Sequence, residues 1–266
     1  QRAKLEHICR KLRLKPGDRL LDIGCGWGGL LCHAAREYGV MGHGVTLSTE
    51  QYTFAKDKIE RLGLSESVSV EIKDFHDLDG TYDKIVSVGM YEHIGLANVP
   101  TYFKTVHRLL ADDGLFLNHA ISREAVWSRR LARKSAAMKA LQRYIFPGGE
   151  LDDIGRTLID MERHGFEVQD VENLRRHYQR TCKLWCERLY AHREEAVKMV
   201  GSETTRIWIG FLGACSMTFQ RGSALIFQRI ATRHSGNVLR QHIRNKRIAA
   251  NHIDQLRHRV VPELEL

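Results

Sequence analysis

The chain has 266 residues, of which 43% are hydrophobic, 27% are charged and 4 are proline, a composition that excludes a disordered or collagen-like polypeptide and suffices for one folded domain with an appendage. The formal net charge is +9 and the sequence pI is near 9.3. This excess of positive charge favours an anionic partner, such as a membrane surface, a nucleic acid or a phosphorylated substrate, and its sign alone does not choose among them.

The first half of the chain alternates strand patterns with helix patterns. A basic helix and a Pro16–Gly17 turn precede the strand DRLLDIG, and four more strands follow as GHGVTLS, VSVEIKD, YDKIVSVGM and LFLNHAI. Apolar residues at helical spacing separate these strands, with Gly63 ending one helix and an ADDG turn ending another. Ser48 and Gln51 predict a capping box at the start of the helix after the second strand.

The second half contains a helix, a glycine break and a strand in residues 153–174, and a closing strand in residues 223–233. Two long helical segments, at about 178–200 and 202–220, lie between these strands and predict a lid over the edge of the sheet. We therefore predict the α/β class, with a doubly wound, mostly parallel sheet of seven strands and a helical lid at about 178–220 in one domain over residues 1–233. Residues 234–266 are predicted to be a basic C-terminal tail.

The cysteines and the longest apolar run bear on compartment. The six cysteines include no CxxC pair, so we expect neither a metal site nor a disulfide framework, but reduced thiols in a cytoplasmic protein. The longest apolar run, IWIGFLGACSM, is about half of the roughly 20 residues that span a bilayer. We expect no transmembrane helix and no signal peptide.

Glycines follow the first strand in the segment LLDIGCGWGGL, at Gly24, Gly26, Gly28 and Gly29. A strand, a glycine loop and a helix allow the backbone to approach a ligand at the carboxyl end of a parallel strand. A dinucleotide-binding loop more often reads G-x-G-x-x-G. The pattern D-I-G-C-G-W-G from Asp22 instead resembles the first motif of doubly wound S-adenosylmethionine-dependent methyltransferases, which bind the amino-acid part of the cofactor there. A tight turn without a ligand is disfavoured because four glycines cost conformational entropy.

Two further segments lie where such methyltransferases bind the rest of the cofactor. Asp74 ends the third strand and is followed by Phe75, at the place of the acid and the apolar residue around the adenine. A turn aspartate explains Asp74 equally well. Ser48 and Gln51 lie where the ribose is expected, although a helix cap explains them somewhat better.

Six separated motifs closely resemble the cyclopropane fatty acid synthase family, including its mycolic acid methyltransferase branch. They are LLDIGCGWGGL, GVTLSTEQ, VSVGMYEHIG, LFLNHAIS, YIFPGGEL and LRRHYQRTCKLWCERL, and the resemblance extends from about residue 4 to residue 233. It implies that a methyl group of S-adenosylmethionine passes to an alkene carbon of a lipid acyl chain, and that the resulting carbocation loses a proton to a bound bicarbonate as the ring closes. The implied cofactor-binding residues are Asp22, Gly24, Cys25, Gly26, Gly28, Thr46, Leu47, Ser48, Gln51, Asp74 and Phe75.

The resemblance also implies the catalytic residues that hold the bicarbonate. They are Glu92 in the E-H-[VIF]-G motif, His119 and the backbone of Ile121 in the L-x-H-x-I motif, and Tyr178 before T-x-x-x-W. Taken singly, these residues are explained as a helix-start acid, a core histidine and a packing tyrosine, but their joint occurrence favours the ion site. The family also uses an upstream cysteine, of which Cys9 is not the motif match.

A carbocation needs soft negative charge and a site without water, and aromatic faces supply the former. The candidates for this role are Tyr91, Phe146, Tyr178, Trp185 and Phe219. The resemblance further implies that Cys215 lies near the acyl tunnel.

Seven basic residues between Arg123 and Arg143 accompany one apolar helix side, which fits an anionic bilayer surface. We therefore expect the substrate to be an unsaturated phospholipid acyl chain and the enzyme to bind peripherally to the inner face of the membrane. The tail is a candidate for further membrane attraction or for contacts in a homodimer.

Three alternatives remain open or are disfavoured. The HY pair before QRT matches the mycolic acid branch and methyl-branching relatives, so the product is a ring or a methyl branch. We expect no nucleic-acid substrate, because base-amino methyltransferases typically carry N-P-P-[YFW] where this chain reads GMYEH. A non-catalytic binding module has no reason to keep Glu92, His119 and Tyr178 together.

Overall fold

The computed structural model describes residues 1–125 and 148–233, which form a central sheet with helices on both faces. The strands are β1 Arg19–Ile23, β2 Met41–Thr46, β3 Val68–Ile72, β4 Tyr82–Val88, β5 Leu110–Arg123, β6 Asp152–Asp153, β7 Phe166–Asn173 and β8 Ala224–Arg233. The helices are α1 Arg2–Lys11, α2 Gly29–Tyr38, α3 Thr49–Arg61, α4 Val99–Leu109, α5 Ile154–Arg163, α6 Arg175–Ala191, α7 Arg193–Val200 and α8 Ser202–Arg221.

The strands follow the order β3-β2-β1-β4-β5-β8-β7, and the short β6 pairs with the end of β5. Strand β8 is antiparallel to both of its neighbours, and the other pairs are parallel. The predicted doubly wound, mostly parallel sheet is confirmed, with the two-residue β6 as an addition. Because the strand order reverses between β1 and β4, the crevice beyond their carboxyl ends is the expected ligand position in such a sheet.

The predicted ADDG turn lies inside β5 rather than before it. Leu110 pairs with Tyr82 and Leu115 pairs with Lys84, so the four residues between them are set against one residue of β4. The segment is therefore a bulge in a continuous strand, which local sequence signals do not distinguish from a turn.

Alternate residues of β5 enter different apolar cores. Leu115 and Leu117 face the core that α1 and α2 cover, and Phe116 and Ala120 face the core that α4 and α5 cover. A third, smaller cluster joins the helices after β7 to the end of the sheet; it contains Leu174, Cys182, Phe219, Ala224 and Ile226, with Ile121, Tyr178 and Cys215 packed against it. This alternation places neighbouring residues of β5 in opposite environments.

The lid, defined here as residues 175–221, contains three helices where the sequence predicts two segments. It begins at Arg175 rather than Tyr178, and a break at His192 separates α6 from α7. Ser216 Oγ donates to the carbonyl of Gln179 at 3.1 Å, and Arg175 donates to the carbonyl of Phe219 at 2.6 Å. These bonds tie α6 to α8. Within residues 1–125 and 148–233, no helix has the length and apolarity needed to cross a membrane.

Candidate active site

The glycine loop connects β1 to α2 at the carboxyl end of β1. The amides of Gly24 and Cys25 both donate to the carbonyl of Val45 on β2 at 3.0 Å, which fixes the start of the loop. Gly24, Gly26 and Gly28 have φ values of 80°, 54° and 68°, in the left-handed region that favours glycine. The backbone conformation therefore accounts for three of the four glycines.

The space around each glycine separates packing from ligand approach. A Cβ on Gly24 would lie 2.8 Å from Cγ of Met90, and a Cβ on Gly28 would lie 3.1 Å from Cβ of Ala55. A Cβ on Gly26 would meet no protein atom within 4 Å. The structure thus explains Gly24 and Gly28 by protein packing, whereas Gly26 is the loop glycine that borders open space.

Two residues beside the loop are buried. Cys25 packs against β2, because a Cβ on Gly44 would lie 2.8 Å from the Cβ of Cys25. Burial raises the pKa of the Cys25 thiol to about 12. Only the backbone of Cys25 is therefore available to a ligand. Burial raises the pKa of Asp22 to about 7, and the ammonium of Lys4 opposes that rise.

The segment after β2 contains half of the predicted capping box. Ser48 Oγ accepts from the amide of Gln51 at 3.2 Å, as predicted. The side chain of Gln51 does not return to the Ser48 amide; its Oε1 instead accepts from Thr46 Oγ1 at 2.7 Å. Leu47, between Thr46 and Ser48 in the chain, is 72% exposed and presents an apolar surface.

Asp74 and Phe75 follow the end of β3. Asp74 Oδ1 accepts from the amide of His76 at 2.9 Å and caps a short 3-10 helix at Phe75–Asp77. The Phe75 ring lies 5.5 Å from the Tyr102 ring, centroid to centroid. These contacts are those of a turn aspartate, and the adenine role of the two residues stays a prediction.

Glu92 reaches the free edge of β5. Strand β4 ends at Val88, and the amide of Gly89 donates to the carbonyl of His119. Beyond that point, Glu92 Oε1 accepts from the amide of Ile121 at 2.6 Å. The Glu92 side chain therefore occupies a gap in the β5 ladder, before β6 pairs with Ser122 and Arg123.

The Glu92 carboxyl group is buried, and among residues 1–125 and 148–233 its second oxygen, Oε2, has no hydrogen-bond partner. Burial raises its pKa, while the Ile121 amide and the charges of His93 and Arg229 act in the opposite direction. The group is thus a desolvated acid whose proton affinity depends on its neighbours.

His119 is buried, and on β5 it stands opposite Gln228 of β8. Its Nδ1 lies 3.0 Å from Nε2 of Gln228, which is itself fully buried. With the amide nitrogen donating, the ring carries its proton on Nε2. Burial, reinforced by Lys4 and Arg229, lowers the pKa of His119 to about 3, so the ring is neutral at physiological pH. Its Nε2 is also buried and has no hydrogen-bond partner in the part of the chain that the structure describes.

Tyr178 on α6 covers this pair from the lid. The centroid of its ring lies 5.4 Å from that of His119 and 5.9 Å from that of Phe219. Burial, followed by the nearby Glu92 charge, raises the pKa of its hydroxyl to about 12. The structure thus brings all four predicted catalytic residues, Glu92, His119, Ile121 and Tyr178, to one place.

The site fits an ion that carries both a hydrogen-bond donor and acceptors. Glu92 Oε2 offers an unused acceptor, and His119 Nε2–H offers an unused donor. Bicarbonate has one O–H and two further oxygens, which match these two groups. Inorganic anions without a proton would match only the donor. Within the described ranges, no group of three His, Cys, Asp or Glu residues is arranged to hold a metal ion.

Sequence reasoning missed two residues of β8 that face the site strand. Gln228 contacts His119, and Arg229 donates to Asn118 Oδ1 at 2.8 Å and to Ser122 Oγ at 2.7 Å. Their signal in the sequence is that two polar residues interrupt the apolar closing strand, which is antiparallel to β5. Their positions depend on the β5–β8 register, which the sequence does not contain.

The aromatic candidates do not all lie at the site. Tyr178 and Phe219 do, but Tyr91 packs with Tyr102 and Phe103 in the core on the other face of the sheet. Trp185 is 40% exposed on the lid, and its proposed contact with the carbocation stays a prediction. Cys215 lies in the lid cluster with Tyr178, and burial raises its pKa to about 12.

Some predictions concern residues outside the described ranges. Phe146 and most of the basic amphipathic segment, residues 126–147, are among them, as is the tail at residues 234–266. The membrane and dimer roles assigned to those segments stay predictions.

Comparison with known proteins gives one family match and several relatives. Residues 1–229 match the family model described as mycolic acid cyclopropane synthetase. The chain is 41% identical over 235 residues to a probable fatty acid methyltransferase of Pseudomonas putida, covering 88% of this chain and 59% of the relative. It is 37% identical over 243 residues to the cyclopropane-fatty-acyl-phospholipid synthase of Escherichia coli K12, covering 90% of this chain and 60% of the relative.

The fold of this chain also resembles that of a solved structure. The mycolic acid cyclopropane synthase CmaA1, complexed with SAH and CTAB, superposes with a TM-score of 0.81 and 31% identity, covering 88% of this chain and 84% of that chain. The chain spans only about three fifths of the length of the two curated relatives named above, 59% and 60%.

Proposed function

Because the chain belongs to the mycolic acid cyclopropane synthetase family of S-adenosylmethionine-dependent methyltransferases, we propose that it methylates the double bond of an unsaturated acyl chain of a membrane phospholipid and forms a cyclopropane. A methyl group passes from the sulfonium to one alkene carbon, and the other alkene carbon becomes cationic. One proton then leaves the transferred methyl group as its carbon closes the ring. The atoms balance as one CH2 added and one proton released.

The observation that supports this proposal best is the buried pair of unused polar atoms, Glu92 Oε2 and His119 Nε2, under the Tyr178 ring. A simple methyl transfer to an amine or a hydroxyl needs no buried proton acceptor that water cannot reach. A cationic hydrocarbon intermediate needs one, because its deprotonation must outcompete capture by water.

The residues around the glycine loop would hold the cofactor, which supplies an electrophilic methyl group when bound. The open space at Gly26 would let the backbone approach the amino-acid part, and the Gln51 side chain, whose Oε1 accepts from Thr46, would use its amide nitrogen on the ribose. Leu47 and Phe75 provide apolar surface for the adenine, and Asp74 provides a carboxylate that is partly exposed. Asp22, the last residue but one of β1, is buried.

A bicarbonate held by Glu92 and His119 would supply the base that takes the proton. Glu92 would accept the ion's hydrogen through Oε2, which leaves the ion's other oxygens free to accept from His119 and to take the proton. His119, being neutral, would donate through Nε2 without adding a positive charge next to a carbocation. Tyr178 contributes a hydroxyl that stays protonated, together with an aromatic face that stabilises the cation and excludes water.

A methyl-branched product is the second candidate, and a specific finding favours it. The relative from Pseudomonas putida at 41% identity is named a probable fatty acid methyltransferase, and the cyclopropane synthase from Escherichia coli has 37% identity. The same site serves both outcomes, because each requires loss of one proton from the methylated cation. If the proton leaves the chain carbon that received the methyl group, the double bond is retained and a branch results.

We place the enzyme in the cytoplasm, bound peripherally to an anionic membrane surface from which it takes its substrate. The net charge of +9 supports this placement.

The function is tested by incubating the protein with S-adenosylmethionine and vesicles of monounsaturated phospholipid, followed by proton NMR of the released fatty acids. Upfield ring protons with loss of the vinyl signal establish a cyclopropane synthase. A new methyl signal, with the vinyl signal reduced to half of its intensity because one of the two vinyl protons is replaced by the methyl group, establishes the branching enzyme. If neither change appears while calorimetry shows intact cofactor binding, the proposal is contradicted. Glu92→Gln serves as the matched control for contaminating activity.

A further inference from the structure

Arg229, in the middle of β8, is a fully buried arginine. Its two terminal nitrogens donate to Asn118 Oδ1 at 2.8 Å and to Ser122 Oγ at 2.7 Å, and its Nε is buried without a partner among the described residues. Both partners are neutral, and in the described part of the chain the guanidinium forms no ion pair with a carboxylate. This differs from the usual situation of a buried charge, which is paired directly.

A buried guanidinium that lacks a paired carboxylate is costly, so its charge must be stabilised from farther away. Burial lowers the pKa of Arg229 to about 10, and the side chain remains charged at neutral pH. The negative groups that oppose this shift include Glu92 and Asp152. The reciprocal effect also holds, because Arg229 opposes the rise in the pKa of Glu92.

The two hydrogen bonds place Arg229 against the strand segment that carries the site. Asn118 and Ser122 alternate along β5 with His119 and Ile121, so the guanidinium contacts the face opposite to the His119 ring. The segment that it bridges contains the Ile121 amide, which donates to Glu92. Arg229 is therefore linked to Glu92 both through its charge and through this strand segment.

We propose that Arg229 is a positioning residue for the active site: its two hydrogen bonds hold the β5 segment whose Ile121 amide binds Glu92, and its buried charge favours the ionised form of that carboxyl group. The catalytic consequence rests on the function proposed above, whereas the electrostatic coupling between Arg229 and Glu92 does not. An ionised Glu92 is needed to accept a hydrogen from an ion or from substrate in the closed site.

Several elements present titratable groups to Glu92. His93 adjoins it in the chain, Tyr102 comes from α4 and Tyr178 from α6. Asp152 of β6 acts on Arg229, and the His119 ring of β5 lies beside that of Tyr178. The backbone amide of Glu150 also donates to its carbonyl. Of these groups and Arg229, only the arginine combines a permanent positive charge with complete burial, where screening by solvent is weak.

The experiment measures the ionisation of Glu92 directly. Infrared difference titration of the intact chain, with the Glu92 band assigned by its loss in Glu92→Gln, gives the pKa of this carboxyl group without requiring turnover. In Arg229→Met we expect that pKa to rise by about one unit or more, which is about tenfold in proton affinity. In Arg229→Lys we expect most of the shift to be reversed.

A second variant covers the case in which Arg229→Met does not fold. Asn118→Asp keeps the guanidinium and places a carboxylate 2.8 Å from it, which neutralises its charge locally. We expect the pKa of Glu92 to rise in this variant as well. The matched control is Arg233→Met on the same strand, whose side chain donates to the Leu110 carbonyl far from the site, and for which we expect no change in the titration of Glu92.

The outcomes separate this inference from the proposed function. If neither Arg229→Met nor Asn118→Asp moves the Glu92 titration, Arg229 is only structural and the inference is overturned, even if both variants lose thermal stability. If the wild-type protein converts no lipid but the titration shifts as expected, the coupling stands and the proposed function fails. In an active enzyme, the acid limb of the kcat profile should move upward in pH together with the Glu92 band.

Discussion

Gln228 Nε2 lies 3.0 Å from His119 Nδ1, with both side chains buried on the same face of the β5–β8 pair. This contact decides which ring nitrogen of His119 carries the proton. With Nδ1 accepting, the proton lies on Nε2 of a ring whose centroid is 5.4 Å from that of Tyr178 on the lid, and this N–H is the donor that a bound ion would use. The Gln228 side chain therefore sets the polarity of the site from outside it.

Replacing Gln228 with Leu should leave Nδ1 unpaired and mix the two tautomers. We expect a loss of about 1–3 kcal/mol in the free energy of unfolding and a decrease in kcat of about tenfold or more. Long-range nitrogen–proton NMR of His119 would report the tautomer directly. Gln169→Leu on β7, whose amide contacts Thr232 at the surface, is the matched control. A single unchanged tautomer in Gln228→Leu would contradict this role.

Removing the acid and the hydroxyl at the site should separate chemistry from cofactor binding. We expect Glu92→Gln to reduce turnover by about 10²–10⁴-fold, because the amide cannot serve in proton removal, while cofactor affinity changes little. Tyr178→Phe keeps the aromatic face and should cost less. Single-turnover rates and calorimetry measure the two effects. An equal loss of cofactor affinity in Glu92→Gln would sink its assignment to proton removal.

Two substitutions in the glycine loop can be compared with each other and with a control outside it. Gly24→Ala should destabilise the apo protein, since its Cβ would lie 2.8 Å from Met90 Cγ. Gly26→Ala has no such neighbour, so the expected cost is about 1–2 kcal/mol from its positive φ alone, yet it should abolish S-adenosylmethionine binding. The matched control is Gly63→Ala, with a φ of 66° and open space, away from the site. Wild-type affinity in Gly26→Ala by calorimetry would exclude close cofactor approach at that residue.

The neutral state of His119 should appear in the pH dependence of stability. Its pKa is about 3 in the folded protein and 6.5 for an unperturbed histidine, so between these values the unfolded state binds a proton that the folded state does not. Stability from this group is complete above pH 6.5 and is lost as the pH falls toward 3. The slope is at most about 1.4 kcal/mol per pH unit.

We expect His119→Gln to lose less stability than the wild type between pH 7 and pH 5, as measured by urea unfolding. His192→Gln on the exposed lid controls for the loss of one histidine. Parallel curves for the wild type and His119→Gln would show that His119 is not held neutral.

Part of the fold could be predicted because periodicity is a local property. The apolar runs of β1, β4 and β8, and the glycines and cap that begin α2 and α3, carry their structural signals within a few residues. The errors occurred where a local signal had two solutions. The residues from Ala111 to Gly114 are as suitable for a bulge as for a turn, and Gln51 had two possible hydroxyl partners, of which Thr46 is bound.

The site divides in the same way. The sequence by itself determined which chemical groups are available, since Glu92, His119, Ile121 and Tyr178 stand in recognisable motifs whose order is fixed along the chain. Only the tertiary structure decided the charge state and the hydrogen-bond partners of those groups. Burial makes His119 neutral, the end of β4 frees the Ile121 amide for Glu92, and the antiparallel register of β8 brings Gln228 and Arg229 against β5 from a distance of more than a hundred residues. Desolvation and strand register depend on all neighbours at once, and a linear pattern contains neither.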